Sequence, residues 1–298
     1  MDTNKRNEKL LAVQQEATSL IVEQLKEFEK TGEVPVWLQP WDKKGGFSWP
    51  VNLDGRLYTG INTIHLLALQ QKQGFPSSTW GTYKAFLDHK GQVQKRERSG
   101  KIFFYRSMEI KEKDKNGKVK SDGDGNPQSI TIPMLKCYSI FNIGQTDLNP
   151  TQTQPPTPSQ NFEGLADSIK KAGIDVRHGN DRAYYDHRGD FVRMPNIEQF
   201  VDESTYWAVL AHEAIHWTGA PDRLGRQKGK EFGDKEYAIE ELVAELGSVM
   251  LLAKFGIKPQ FQSVAYLKNW IEVLEQDHRL IFKIASQAQK AAGRITIN

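Results

Sequence analysis

The stretch LAHEAIHWTG at residues 210–219 places two histidines four positions apart, with a glutamate directly after the first. From Asp202 or Ser204, either of which can cap a helix, no proline intervenes before Trp217, and Gly219 and Pro221 then end the run. On such a helix His212 and His216 project from one face about one turn apart. Both imidazoles can then reach a single ion at roughly 2.0–2.1 Å while Glu213 leans over the same place. That set suits metal-assisted hydrolysis: two neutral ligands leave the ion Lewis-acidic, and a carboxylate beside the open position takes a proton from bound water. The bland alternative is an amphipathic helix with two ordinary surface histidines. A second helical segment, KEYAIEELVAELGSVMLLAKFG at 235–256, sets Glu241 and Glu245 four apart on one face, a spacing for a ligand carboxylate with another behind it. Asp222, reached through the pattern HExxHxxGxxD, and Glu240, next to Glu241, are rival third ligands.

The elements that must hold these residues occupy the second half of the chain. At 298 residues, two domains are expected, and 38% apolar with 26% charged residues fits a globular protein rather than a disordered or membrane one. No apolar run is long enough to span a bilayer and the first residues do not read as a signal peptide, so a cytoplasmic protein is expected. The lone Cys137 cannot form an internal disulfide, in keeping with a reducing compartment. NPTQTQPPTPSQN (149–161) is proline-rich and uncharged and reads as a linker. It divides an N-terminal domain (1–148) from a C-terminal one (162–298). The first reads as α+β, opening with an amphipathic helix (Leu10, Val13, Ala17, Ile21, Leu25, Phe28) that stops at Gly32. Strand-like KIFFYRSMEI and SITIPMLKCYSIFNI are interrupted by a polar hairpin insertion at 111–129. The second has a helix, short strands, and almost only helix from about 197 onward. Trp207, Ala211, Ala214 and Ile215 anchor the histidine helix in a core, whereas His178 and His187 read as surface residues.

Net charge is only +3, but residues 1–150 carry 22 Lys/Arg against 17 Asp/Glu, and the rest 18 against 20. The first half is therefore the candidate for a polyanion. There, aromatic and basic residues interleave: Trp41, Lys43, Lys44, Arg56, Tyr58, Trp80, Lys84, Lys95, Arg96, Arg98 and Tyr105. Flat side chains stack on unpaired bases while cations follow phosphates, which is how proteins hold single strands without reading sequence. The alternative is that the tryptophans are core and the cations a solubilising surface.

The pair of helices resembles the gluzincin metallopeptidases, in which a helix bearing E-x-x-x-D follows HExxH. The resemblance implies His212, His216 and Glu241 as ligands, Glu213 as general base, and Glu245 as the carboxylate behind a ligand histidine, where Asp is more usual. It also implies an oxyanion donor from elsewhere in the chain, for which Tyr206, Tyr237 and His278 are candidates. The words WLQPW, PVNLDGRLYTGIN, WGTYKAF and GQVQKRERSGKIFFY, then MPNIEQF, HEAIHWTGAPDRLGR and EYAIEELVAELGSVML, resemble in order the ArdC antirestriction family, whose N-terminal domain is shared with plasmid TraC primases. One departure is QKRERSG where Lys-Gly-Glu is common, which puts the turn there in question. The resemblance implies an N-terminal α+β single-stranded DNA-binding domain linked to a mainly helical zincin-like domain with a small sheet. It further implies a zinc ion, with manganese or another divalent transition metal as alternatives. The implied role is protection of incoming conjugative DNA from restriction, with a protein substrate or restriction component as a further partner and no membrane. Arg223 and Arg226, after the histidine helix, could orient a carboxylate or face DNA. The competing expectations are a non-enzymatic DNA-binding protein that protects by occlusion around a structural metal, and a plain peptidase whose basic half recruits protein substrates.

Overall fold

Buried Ala17, Ile21, Leu25 and Phe28 recur at helical spacing along α1 (Thr3–Thr31), the stripe expected from the sequence. The helix stops where Gly32, at φ 73°, donates its N–H to Phe28 O at 2.8 Å, a left-handed cap that glycine adopts freely. The computed structural model describes residues 3–41, 49–112, 118–123, 126–148, 159–226, 235–261 and 263–296.

After α1 come β1 (Val51–Asn52), α2 (Ile61–Gln73), β2 (Thr79–Gly81), α3 (Tyr83–Asp88), β3 (Gly100–Lys111) and β4 (Ser129–Asn142). The four strands form one sheet in the order β1-β2-β4-β3, with β1 and β2 parallel and the other pairs antiparallel. β3 and β4 pair from Gly100↔Ile140 to Lys111↔Ser129, so the two strands foreseen in the sequence form a long ribbon. Past Lys111, backbone bonds from Lys120 N to Glu112 O and from Gln128 N to Lys120 O, both 2.8 Å, continue the pairing into the polar insertion. β3 is an edge strand, and α2 covers that edge. Asn62, on α2, accepts from Phe103 N at 2.7 Å and donates to Phe103 O at 2.8 Å, so one buried amide replaces a missing strand.

The second half runs α4 (Phe162–Ala172), β5 (Val176–His178), β6 (Tyr184–Asp186), β7 (Phe191–Met194), α5 (Glu203–Trp217), α6 (Lys235–Lys254), α7 (Leu267–Gln276) and α8 (Leu280–Thr296). Its small sheet has the order β5-β7-β6. The fold is thus α+β, with a mainly helical C-terminal part. Residues 149–158 of the expected linker lie outside the described residues; its last residue, Asn161, already caps α4 by accepting from Gly164 N at 2.8 Å.

The halves on either side of that segment share one apolar cluster, running from Ala17 on α1 through α5, α6 and α7 to Ile295 on α8. Phe103 of the ribbon meets Phe282 of α8 edge-on, ring centroids 4.8 Å apart. Polar ties reinforce the seam: Thr18 Oγ1 donates to His278 O at 2.6 Å, and Gly60 N donates to Gln289 Oε1 at 3.2 Å. No described helix is long and apolar enough to cross a membrane.

Candidate metal centre and nucleic-acid face

Asp202 settles the start of α5, its carboxylate accepting from Thr205 N at 2.7 Å. Ala211, Ala214 and Ile215 are fully buried, so α5 presents a small-residue face to α6. Gly247 lets the helices close up: a Cβ there would lie 2.9 Å from Ile215 Cγ2. Their approach brings Glu241 beneath the two histidines.

His212 Nε2 and His216 Nε2 are 3.2 Å apart, and the Glu241 oxygens lie 3.5 Å from the first and 3.4 Å from the second. Two ligands bound at 2.0–2.1 Å with near-tetrahedral angles would be about 3.3 Å apart, so the spacing fits a small divalent ion. The outward ring nitrogens support the same reading. His216 Nδ1 is 3.3 Å from Glu240 Oε1, and His212 Nδ1, buried without a hydrogen bond, is 3.8 Å from Glu245 Oε1. Carboxylates behind Nδ1 favour the proton there and leave the Nε2 lone pairs facing Glu241, a donor set that a cation satisfies. Burial opposes charge on both imidazoles, but Glu241 with Glu245, and Glu240 with Glu241, outweigh it and raise the pKa of His212 and, more strongly, of His216. Burial likewise opposes the Glu241 carboxylate, yet the two histidines beside it hold its pKa well below the usual range.

Of the rival third ligands, Asp222 stands outside this group with its side chain 74% exposed, and Glu240 faces the far side of His216. Glu240 is instead gripped by Arg226, whose Nη2 and Nε donate at 3.0 and 3.2 Å while the same guanidinium reaches Thr218 Oγ1 and Ile215 O. Arg223 stacks on Trp217 at 3.9 Å and donates to both Asp190 oxygens and to Tyr185 Oη, tying the β6–β7 hairpin to the loop after α5. Both arginines therefore orient carboxylates. The Arg226–Glu240–His216 chain carries an expectation: Glu240→Gln, keeping shape but losing charge, should weaken divalent-metal affinity by about 10–100-fold, the usual cost of losing an outer partner. Metal titration with a competing chelator reads it; unchanged affinity would show that Glu240 serves Arg226 alone.

The centre opens into a cleft of about 240 Å³, lined by Glu213 together with Tyr184, Tyr185, His187, Tyr237 and Tyr266. Of the oxyanion candidates, only Tyr237 lies there. Tyr206 is buried against His178, 3.0 Å from its Nε2, and His278 sits beside α1. Burial, then the charge of Glu241, raises the Tyr237 pKa far above its ordinary value, so the group remains a hydroxyl donor. His187 is exposed, as read from the sequence, and also edges this cleft; Tyr266, which ends a short 3-10 helix (Val264–Tyr266), was missed, since no spacing in the sequence marks it.

The aromatic-basic half divides. Lys43 and Lys44 lie outside the described residues. Trp80, like Trp37, is 1% exposed and part of the core, and Trp41 and Tyr58 are half-buried, so their rings are not open platforms. Burial pushes the Tyr58 pKa up to about 12. Arg56, Lys84, Lys95, Arg96 and Arg98 are exposed, as is Tyr105. The ribbon offers what the tryptophans do not. By its register Phe104 and Tyr138 share a face with Lys136, which pairs with Phe104; both rings are nearly half exposed and meet edge-on at 5.5 Å. Tyr105 points to the opposite face. In the QKRERSG turn, Arg96 takes φ 71°, so the glycine-like turn is kept with arginine in it.

A zincin-like metal domain joined to an α+β unit with an aromatic-basic ribbon is the class these features define. A family described as "Zincin-like metallopeptidase" matches residues 163–287, and one described as "N-terminal domain of anti-restriction factor ArdC" matches 12–141. The crystal structure of the antirestriction ArdC protein from the R388 plasmid, metal-free, superposes with a TM-score of 0.74 at 35% identity, covering 95% of this chain and 96% of that one. Its Mn(II)-bound structure gives 0.72 at 33% identity, with the same coverage. The chain belongs to the ArdC antirestriction family. A DNA primase TraC of Escherichia coli is 35% identical over 91% of this chain, which spans only 26% of that longer protein. The protein y4eC of Sinorhizobium fredii is 33% identical, with 85% of this chain and 83% of the relative aligned.

Proposed function

We propose that this protein binds single-stranded DNA through its N-terminal half and carries a metal-dependent, peptidase-like hydrolytic centre, together protecting incoming conjugative DNA from restriction. The convergence of His212, His216 and Glu241 at the floor of a cleft that also holds Glu213 carries the hydrolytic part. A zinc or manganese ion held by His212, His216 and Glu241 would supply Lewis acidity toward a water and a scissile carbonyl. Glu213 takes the proton from the attacking water and returns it to the leaving nitrogen. The Tyr237 hydroxyl donates to the carbonyl oxygen as negative charge develops there. Glu240 orients the His216 imidazole, Glu245 lies behind that of His212, and Arg226 fixes Glu240.

For DNA, the support is the exposed Phe104–Tyr138 pair beside Lys136, with a cationic surface at Lys95, Arg96 and Arg98. Since the two halves share a core, the full chain is the material to test. Binding to an oligothymidylate should weaken steeply with salt. The Phe104→Ala/Tyr138→Ala protein should lose about 1–3 kcal/mol per stacked base in fluorescence anisotropy. Wild-type protein that ignores the oligonucleotide at low salt would remove the DNA half of the proposal.

A further inference from the structure

The cleft over the metal-binding floor has two aromatic walls. One is the β6–β7 hairpin, which brings Tyr184, Tyr185 and His187; the other is the junction of α6 and α7, which brings Tyr237 and Tyr266. Among the described residues that line the cleft none is lysine or arginine. Apart from the metal set, Glu213, Glu240 and Ala183, the lining is aromatic. Tyr184 is 38% exposed, His187 is exposed, and Tyr237 and Tyr266 are half-buried, so a guest in the cleft can touch four rings.

Both walls are held in place before anything binds. Tyr185 is the buried anchor of the first: its hydroxyl donates to Asp190 Oδ1 at 2.7 Å and accepts from Arg223 Nη2 at 2.9 Å, and its ring meets His187 edge-on with centroids 4.8 Å apart. Asp186 closes the hairpin, its Oδ1 accepting from Arg188 N at 2.9 Å and Gly189 N at 2.7 Å. In the second wall Tyr237 and Tyr266 pack with centroids 5.6 Å apart and planes inclined by 49°. Trp270 pins α7 to α6 there by donating to Ala238 O at 2.8 Å. Walls fixed in this way lose little freedom on binding, which favours a guest of matching shape.

We propose that these walls form a pocket for a neutral aromatic side chain of the substrate, next to the bond that is cut. The proposal rests on the metal-dependent hydrolytic reading above and names the residue type that such a centre selects. An anionic side chain would face Glu213 with no lysine or arginine in the lining to answer it. A cationic one would lie beside a divalent ion, with Arg226 behind Glu240. A ring instead meets rings, and edge-to-face or offset contacts add to the gain from burying area alone. At about 240 Å³ the cleft is smaller than the usual site for a whole small molecule and suits one side chain.

Calorimetric titration of the zinc-loaded full chain with hydroxamic acids tests it without any need for turnover. Acetohydroxamate reports the metal alone. The phenylpropano-, methylpentano- and aminopentano-hydroxamates add a ring, a branched alkyl group and a cation on short tethers. The phenyl compound should bind about 2–10-fold more tightly than the branched alkyl one, the gain that ring packing gives beyond area. Tyr184→Ala and Tyr266→Ala should erase that margin and leave acetohydroxamate affinity as it was, which separates lost packing from lost fold. Tyr266→Phe should keep the margin, since the ring and not the hydroxyl makes the contact. A margin absent from the native chain, or one that survives in both alanine variants, overturns the proposal while acetohydroxamate binding keeps the metal reading standing. Tightest binding of the amine also overturns it, in favour of a cage for cations. A chain that takes up no metal, or binds no hydroxamate at all, removes the hydrolytic reading and the pocket with it.

Discussion

The His216→Ala protein, purified without chelators, is expected to carry no stoichiometric divalent metal, whereas the native chain should carry one. Removing one of three protein ligands should cost more than the roughly 10–100-fold lost with an outer partner. The fold should survive, because Glu240 keeps its two-point contact with Arg226 and Glu241 keeps His212. Melting curves give an independent reading. At a free metal concentration a hundredfold above Kd the native state gains about 2.7 kcal/mol, several degrees in a chain of this size, and the variant gains nothing. Protons compete for the same lone pairs. Since neighbouring carboxylates raise both imidazole pKa values above the ordinary 6.5, metal uptake should strengthen as pH rises through and beyond that value and fail below it. A native protein free of metal, with no thermal gain from zinc or manganese, would end the catalytic reading.

Glu213→Gln should retain the ion and lose turnover. Glu213 follows His212 on α5 and lines the cleft, and the role proposed for it is to move a proton, so the neutral amide should lower the rate of peptide cleavage by about 10²–10⁴-fold. Metal content and melting temperature should match the native chain, which separates this variant from His216→Ala. Its effect on protection of transferred DNA decides between two modes of action. Protection lost along with cleavage makes proteolysis part of the biology; protection unchanged leaves occlusion by bound protein, with the metal as a structural element.

Local chemistry was legible in the sequence. The four-residue spacing of His212 and His216 is a helix property, and so is the stripe on α1. Gly32 and Asp202 stop and start helices through bonds to near neighbours. What depends on distant chain was less legible. Periodicity cannot tell a tryptophan that shows its face from one that is enclosed, and Trp80 proved enclosed. The run IFFYR hid its platform because adjacent strand residues face opposite sides: Phe104 belongs with Tyr138 and Lys136 across the ribbon, Tyr105 with Leu135 on the other face. Glu240 was visible only as a spare ligand, because its partner Arg226 comes from the segment between α5 and α6, fourteen residues away in the chain. The rival Asp222 had acceptable spacing, but the turn after α5 sends it into solvent.

The apolar seam joining α1 and the ribbon to α7 and α8 bears on inheritance. A half recombined onto a foreign neighbour would present Phe103 or Phe282 to a surface never shaped for it. The two pieces are therefore expected to move between genes as a single cassette. The alignment with the much longer TraC primase, which takes in 91% of this chain, has that form.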